Sequence, residues 1–433
     1  MNIRSIFGFL PPRLLYSYTE LPVMDVSLPK QSVLLIKKSA NGEGMPALSS
    51  GESIKTGGKI SDAEGKLLAY SPVTGTVAEI YNLPRVDGDF TAVDVNTSEN
   101  DVWDENCRGI DNYFDREPGA LVSLLCDSGF ALDIRKDERP DAVILNCLES
   151  DLLVSINRNV LAEYGDTIRR GLRLLKRISG SDIVIIAVPG DLRDFAEKVA
   201  VDGSERIAVV DLLKPLYPFG MKEIIPRALS RKGIRRPLVI TPEYLNSIIV
   251  FLEHGSPPVH KFITLIDRNN VRINMKVRIG TPISHILREG NIKISELDKL
   301  VLGGTMRGKS SFHAEFPVTA DIDAIMVQDR DAVVTLGNEA CVNCGKCIGV
   351  CPNKLQPHLL ARYSEFSLFE RCRDYDIDYC IECGLCAYVC TSRRALVHYI
   401  VFAKKELAKM AKEGDHAIES DNIGEGLACH PVK

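Results

Sequence analysis

The chain has 433 residues, 45% of them apolar and 26% charged, with a net charge of -5 and 13 cysteines. That length implies roughly two to four domains, and the mildly acidic balance argues against DNA or RNA as a partner. Pro11 and Pro12 break the short apolar stretch in residues 1–22, so no signal-peptide pattern is read there; the other apolar runs, about eight to ten residues at most, fall short of a spanning helix, and a cytoplasmic location is expected.

Residues 1–30 are proline-containing and aperiodic, which predicts an irregular N-terminal arm. From 31 to 97 the pattern predicts short strands at Val33–Ile36, Leu67–Tyr70, Thr76–Ile80 and Thr91–Val95, with turns at Asn41-Gly42, Gly51 and Gly57-Gly58. The segment GESIKTGGKISDAEGKLLAYSPVTGTVAEI resembles the barrel-sandwich domain of lipoyl and biotinyl carriers, but no lysine stands in the context those carriers modify. A structural β module without a swinging arm is therefore expected. Residues 98–120 are acidic (Asp101, Asp104, Glu105, Asp111, Asp115, Glu117) and read as a linker.

An α/β rhythm spans 121–260. It predicts strands at Ala142–Leu145, Asp182–Ala187, Arg206–Leu212 and Pro237–Ile240, and helices at Thr167–Ile178, Leu192–Ala200 and Glu223–Ser230. Such alternation implies a parallel sheet with helices on its faces. Residues 261–333 return to strands at Phe262–Ile266 and Val271–Val277, with a turn opening a short helix at Gly280–Leu287, the pattern of a β-grasp-like module. Gly303, Gly304 and Gly308 form a glycine-rich turn; a tight turn is the first reading, and free N–H groups for an anion or cluster the second.

Residues 334–410 carry the strongest signal. Cys341, Cys344, Cys347 and Cys351, then Cys380, Cys383, Cys386 and Cys390, make two runs of C-x2-C-x2-C-x3-C, the first followed by Pro352. This is the bacterial two-cluster ferredoxin pattern, in which the fourth cysteine of each run ligates the other [4Fe-4S] cluster. The expected sets are Cys341, Cys344, Cys347 and Cys390 for one cluster, and Cys380, Cys383, Cys386 and Cys351 for the other. Gly345 and Gly384 let each loop turn, and the fourth cysteine is expected to start a helix. Zinc sites show paired cysteines instead of triplets with a fourth, and a disulfide framework belongs to small domains in oxidising compartments. Helices are predicted at His358–Tyr363, Glu365–Arg373 and Ala395–Met410, and a flexible tail over 411–433, where Cys429 and His430 are too sparse to be read as a metal site. Cys107, Cys126, Cys147 and Cys372 lack partner spacing and are expected to be reduced thiols. His358 and His398 flank the clusters, with a packed or surface role expected over a tuning one. No catalytic triad or dyad is found.

The order of barrel-sandwich, α/β domain, β-grasp module and two-cluster ferredoxin-like helical domain resembles the C subunit of Rnf-type ion-translocating electron-transport complexes. Cobalamin reductases of the propanediol type are more distant relatives. The resemblance covers roughly residues 20–410. It is strongest in ACVNCGKCIGVCPNKLQPHLLARYSE, DIDYCIECGLCAYVC, VLGGTMRG and RIGTPISHIL, and extends to LYPFGMKEIIPRAL at Leu216–Leu229. It implies a peripheral subunit on the cytoplasmic face of the cell membrane, with ferredoxin and other Rnf-type subunits as partners. Members that react with NADH carry flavin in an α/β domain related to the flavin subunit of respiratory complex I, marked by a stretch of the type GMGGAGFPT. In this chain Cys126–Asp133 (CDSGFALD) stands there and keeps only Gly129; the following region keeps Asn146 and Glu149, and the family's NVGT turn falls near Thr241, Pro242 and Glu243. A bulky, shortened loop does not cradle a pyrophosphate, so neither FMN nor NADH is expected to bind. The resemblance thus implies an electron relay through two clusters in a redox-driven ion translocase. Two alternatives stay open: a flavin-containing NADH or corrinoid oxidoreductase subunit, and a scaffold whose clusters are structural.

Overall fold

The computed structural model describes residues 12–17, 22–38, 44–85, 88–134, 139–229, 233–337 and 339–419, with side chains described up to 411. The expected turn at Asn41-Gly42 lies outside them. The chain divides into two compact units, Leu15–Arg330 and one containing Asp331–Lys433.

Within the larger unit, the first sheet is antiparallel, with strands in the order Gln31–Lys37, Gly88–Thr97, Gly75–Arg85 and Ser53–Ile54. Ser32, Leu34 and Ile36 alternate inward, as the two-residue period of a half-buried strand requires. With Ile60, Val73, Val77, Val93 and Val95, the two apolar ones make a small core. Gly75 is obligatory: a Cβ there would lie 2.2 Å from the Asn96 carbonyl oxygen. The stretch 98–120, expected as a linker, is packed and partly helical. Thr56 N–H donates to Val102 O at 3.1 Å and Asp104 N–H to Thr56 O at 2.8 Å, and a helix begins at Pro118–Asp127 with Glu117 as its cap. Only Leu121 and Leu125, one turn apart, are buried in that helix, which is why acidic neighbours masked its period.

The second sheet is parallel throughout, in the order Val209–Leu213, Val184–Pro189, Val143–Asn146 and Leu238–Ile240. Val143–Asn146 and Val184–Pro189 are buried at every position, the mark of a strand covered on both faces. The helix Gly165–Ser179 buries Ile168, Leu172, Leu175 and Ile178. Its Gly171 faces Leu245, whose Cγ is 2.6 Å from where a Cβ would stand, so this glycine lets two helices close up. Two further helices were not expected, Ile156–Glu163 and Pro242–His254. The second starts where a turn was read. Thr241 Oγ1 accepts from Tyr244 N–H at 3.3 Å, and Pro242 occupies the first turn, where no N–H is missed.

The third sheet has six strands in the order Val23–Asp25, Arg272–Arg278, His260–Ile266, Ala324–Gln328, Lys299–Leu302 and Lys309–Ser311. Val23–Asp25 corrects the reading of an irregular arm: these residues add a parallel edge strand beside Asn274–Lys276. The rest of the arm, at 1–11 and 18–21, lies outside the described residues. The glycine-rich turn has its amides taken. The buried Asp151 carboxylate accepts from Met306 N–H at 3.0 Å and Arg307 N–H at 2.9 Å, and from Thr305 Oγ1 at 3.0 Å.

The smaller unit is helical, with Lys346–Val350, Pro357–Glu365, Phe369–Arg373, Leu385–Tyr388 and Leu396–Glu419. Ile400, Ala403 and Leu407 of the last helix pack with Leu355, Leu360, Phe369 and Ile377, one stripe at helical spacing. Residues 411–419, expected in a flexible tail, continue the helical backbone to Glu419; the rest of that expected tail lies outside the described residues. Cys429 and His430 lie outside the described residues.

Candidate metal centre

The two cysteine runs are one structure written twice, 39 positions apart. Backbone φ is positive at Asn343, Gly345 and Lys354, and again at Glu382, Gly384 and Arg393. Each glycine caps a single short helix, Lys346–Val350 or Leu385–Tyr388. The fourth cysteine therefore ends a helix and does not start one: Cys351 is the extended C-cap of the first, and Cys390 follows the second. One helical turn fits between the third and fourth cysteines, and it carries the fourth away from its own loop.

The result is two cavities, each lined by four thiols. Cys341, Cys344, Cys347 and Cys390 line one of about 490 Å³, counted out to the surrounding solvent. Cys351, Cys380, Cys383 and Cys386 line the other, of about 380 Å³. Leu396 lines the first and its neighbour Val397 the second, so the first turn of the last helix borders both. Cys347 and Cys386 share one buried cluster with Ala361 and Leu396. Cys341 and Cys344 are exposed, whereas Cys383 and Cys386 are buried.

Backbone donors already face the sulfurs. Lys346 N–H donates to Cys344 and, at the equivalent place in the repeat, Leu385 N–H to Cys383. Cys380 accepts from Glu382 N–H, and Cys347 from the N–H groups of His358 and Ile348. Arg394 N–H reaches Cys390 Sγ at 3.4 Å. Burial pushes the Cys347 and Cys383 thiols up to about 11 and raises Cys386 further, with Cys383 and Cys380 beside it adding to the rise. Sulfurs held by donors yet costly to ionise suit a bound cation, since a coordinated thiol is deprotonated outright. A single zinc ion, with bonds of about 2.3 Å, draws four sulfurs tightly together. Among the described residues no three His, Cys, Asp or Glu side chains are gathered so closely. Each cavity offers the four thiols that a cubane of four irons and four sulfides takes as ligands.

Three groups near the thiols were not singled out from sequence. Thr391 stands at the repeat position of Pro352, and its hydroxyl is 3.8 Å from Cys344 Sγ; comparison of the two repeats flags it. Lys404 Nζ donates to Cys380 O at 2.7 Å and to Glu382 Oε1 at 2.9 Å. Arg394 pairs with Glu365 at 2.5 Å and donates to Glu339 O at 3.1 Å, pinning the loop before Cys341. Of the other described cysteines, Cys147 and Cys372 are buried, Cys107 is half-buried and Cys126 exposed, and Cys372, in the same unit as the cavities, lines neither. His398 is exposed.

The parallel sheet has its switch point between Val143–Asn146 and Leu238–Ile240, where ligands of such sheets bind beyond the carboxyl ends. Here the chain's own groups fill that place. Asn146 Nδ2 donates to Gly220 O at 2.7 Å and Tyr16 Oη accepts from Gly220 N–H at 3.0 Å. A Cβ on Gly220 would lie 2.0 Å from Glu149 O. In Cys126–Asp133, Phe130 is buried against Tyr244 and Phe251, with ring centroids 6.0 and 5.2 Å away. These residues do not fit a flavin or a dinucleotide. The buried Glu149 accepts from the N–H groups of Asn157 and Arg158, yet burial pushes it from 4.5 up to about 7. An acid raised in the folded state stabilises below its unfolded value and loses that contribution as pH rises through the folded one. Urea titrations should therefore show stability falling between about pH 4.5 and pH 7, by at most about 3 kcal/mol. The fall should be flattened in Glu149→Gln.

Among the described residues no helix is long and apolar enough to cross a membrane. Residues 334–391 match the 4Fe-4S dicluster domain family. The chain is 23% identical to the C subunit of the Na(+)-translocating ferredoxin:NAD(+) oxidoreductase complex of Acetobacterium woodii, over 94% of this chain and 98% of that one. It is 24% identical to the C subunit of the ion-translocating oxidoreductase complex of Methanosarcina acetivorans, over 90% and 95%. With the protein of the same name from Vibrio cholerae it shares 23% identity over 82% of this chain, and it spans only 49% of that longer protein. The dicluster match and the similarity along nearly the whole chain converge: the chain is similar to the C subunits of ion-translocating oxidoreductase complexes of the Rnf type and is an electron-transfer subunit with two [4Fe-4S] clusters.

Proposed function

We propose that this chain takes electrons from ferredoxin and relays them to membrane-bound subunits of an Rnf-type ion translocase, without a nucleotide step of its own. The observation that carries the reading is the pair of four-thiol cavities, each completed by the fourth cysteine of the other run. Cys341, Cys344, Cys347 and Cys390 hold one cluster, and Cys380, Cys383, Cys386 and Cys351 the other. The clusters supply one-electron storage at low potential. The protein's part is to hold them, exclude water from the inner sulfurs, and stabilise the added negative charge through N–H donors and Lys404. The chain works as a peripheral subunit on the cytoplasmic face of the membrane. Its antiparallel sheet serves as a barrel-sandwich module, the parallel sheet as a flavin-subunit-like domain with a vestigial site, and the six-stranded sheet as a β-grasp-like module. The filled switch point supports the absence of FMN and NADH from the relay.

The test is anaerobic mixing of the cluster-replete protein with reduced ferredoxin or with NADH, following the iron–sulfur absorbance. Ferredoxin should bleach it within the mixing experiment and NADH should not. Prompt bleaching by NADH would overturn the nucleotide-free reading, and failure of ferredoxin to bleach would overturn the relay.

A further inference from the structure

His358 is the second residue of the helix Pro357–Glu365. Pro357 has no N–H to give, so the His358 amide is among the first free donors of that helix, and it bonds Cys347 Sγ. His358 is among the residues that line the cavity of Cys341, Cys344, Cys347 and Cys390. Its Nδ1 is a buried polar atom with no hydrogen-bond partner among the described residues. A buried polar atom left without a partner costs free energy, and native interiors rarely leave one so. The sulfurs of a cubane in that cavity are acceptors, and they carry the negative charge that a donor favours. Nothing equivalent lies in the other repeat, where position 397, 39 residues on, is an apolar valine.

We propose that His358 is a positioning residue for electron transfer, donating a hydrogen bond from Nδ1 to a sulfur of the cluster held by Cys341, Cys344, Cys347 and Cys390, and thereby making that cluster easier to reduce. The inference rests on the ligand sets given above. The physical cause is that reduction adds one negative charge to the cluster, and a hydrogen bond to sulfur stabilises the more negative state, raising the potential. Greater solvent exposure of Cys341 and Cys344 acts in the same direction.

The experiment is an anaerobic redox titration of the full chain followed by electron paramagnetic resonance, comparing the native protein with His358→Leu and His358→Gln. His358→Leu should move one midpoint to more negative potential by about tenfold in the reduction equilibrium, or ~59 mV for one electron, and leave the other in place. His358→Gln, which keeps a donor, should recover part of that shift. Two unmoved midpoints in His358→Leu would overturn the proposal. Should His358→Leu fail to take up its cluster, the native protein decides. With 15N-labelled histidine, the reduced cluster should show a coupled histidine nitrogen that His358→Gln lacks, and absence of that coupling overturns the proposal equally. A native protein that binds no iron would overturn the ligand reading itself, a result distinct from both.

Discussion

A chain carrying both Cys351→Ser and Cys383→Ser is expected to keep about four irons, the content of one cubane, whereas Cys351→Ser combined with Cys344→Ser should keep almost none. Cys351 belongs by sequence to the first run, but it lines the cavity of Cys380, Cys383 and Cys386. Two substitutions in one cavity destroy one cluster between them; two substitutions in different cavities destroy both. Uncrossed ligation gives the opposite outcome, because Cys351 and Cys344 would then share a cluster. Iron and sulfide assays on the purified, anaerobically reconstituted variants distinguish the two. The single variants provide the baseline, and each should keep about half the native iron, since each cubane needs all four of its thiolates.

The second large effect concerns stability. Lys261→Met should destabilise the larger unit by about 3–5 kcal/mol, the usual cost of removing one partner from a buried charge pair. Lys261 is 6% exposed, and its Nζ lies 2.7 Å from Glu243 Oε2 and 2.8 Å from Asp323 Oδ1. Burial by itself lowers the lysine's affinity for its proton, but the Asp323 and Glu243 carboxylates outweigh it and the net shift is upward. Asp323 is held below its usual range by the same lysine, against its own burial. Glu243 belongs to the helix Pro242–His254, and its Oε1 also accepts from Phe262 N–H at 2.9 Å. The ion group thus ties the helix Pro242–His254 to a strand of the six-stranded sheet and to the residue just before another. With Met at 261, two partly buried carboxylates, 16% and 30% exposed, would face each other without their shared cation. Urea unfolding of Lys261→Met against the triple variant Lys261→Met, Glu243→Gln, Asp323→Asn checks the cause, because the triple variant removes the stranded charge and should regain much of the loss. Equal stability of the two variants would assign the effect to packing.

Local pattern made much of this architecture legible. Leu67–Tyr70 is a strand over the residues that its composition indicates; the apolar, β-branched run Asp182–Ala187 overlaps the strand Val184–Pro189, and the alternating Phe262–Ile266 lies within the strand His260–Ile266. Thr167–Ile178 showed its helical period because four apolar residues fall on one face. The elements that escaped notice have weak local signals. Pro242–His254 opens with a proline in a stretch that also reads as a turn, Ile156–Glu163 has only eight residues, and Val23–Asp25 is a three-residue edge held by its neighbour. Their formation depends on what they pack against.

The same division runs through the candidate centre. Eight cysteines, their spacing and the two glycines determined, from sequence alone, that two cubane-sized sites would form, because a loop of three closely spaced thiols is a local object. The 39-residue offset of the two runs is likewise written in the chain. Only the tertiary structure decided what surrounds each site. Thr391 meets Cys344, His358 meets Cys347, and Lys404 meets Cys380, across separations of 47, 11 and 24 residues. It also decided that the switch point is occupied by Asn146, Tyr16 and Gly220, which are far apart in sequence and joined only by the sheet and the loops around it. The physical reason is range. Ligand spacing and turn conformation depend on neighbours a few bonds away, whereas hydrogen bonding, burial and charge at a site depend on whichever groups the packed fold brings to it.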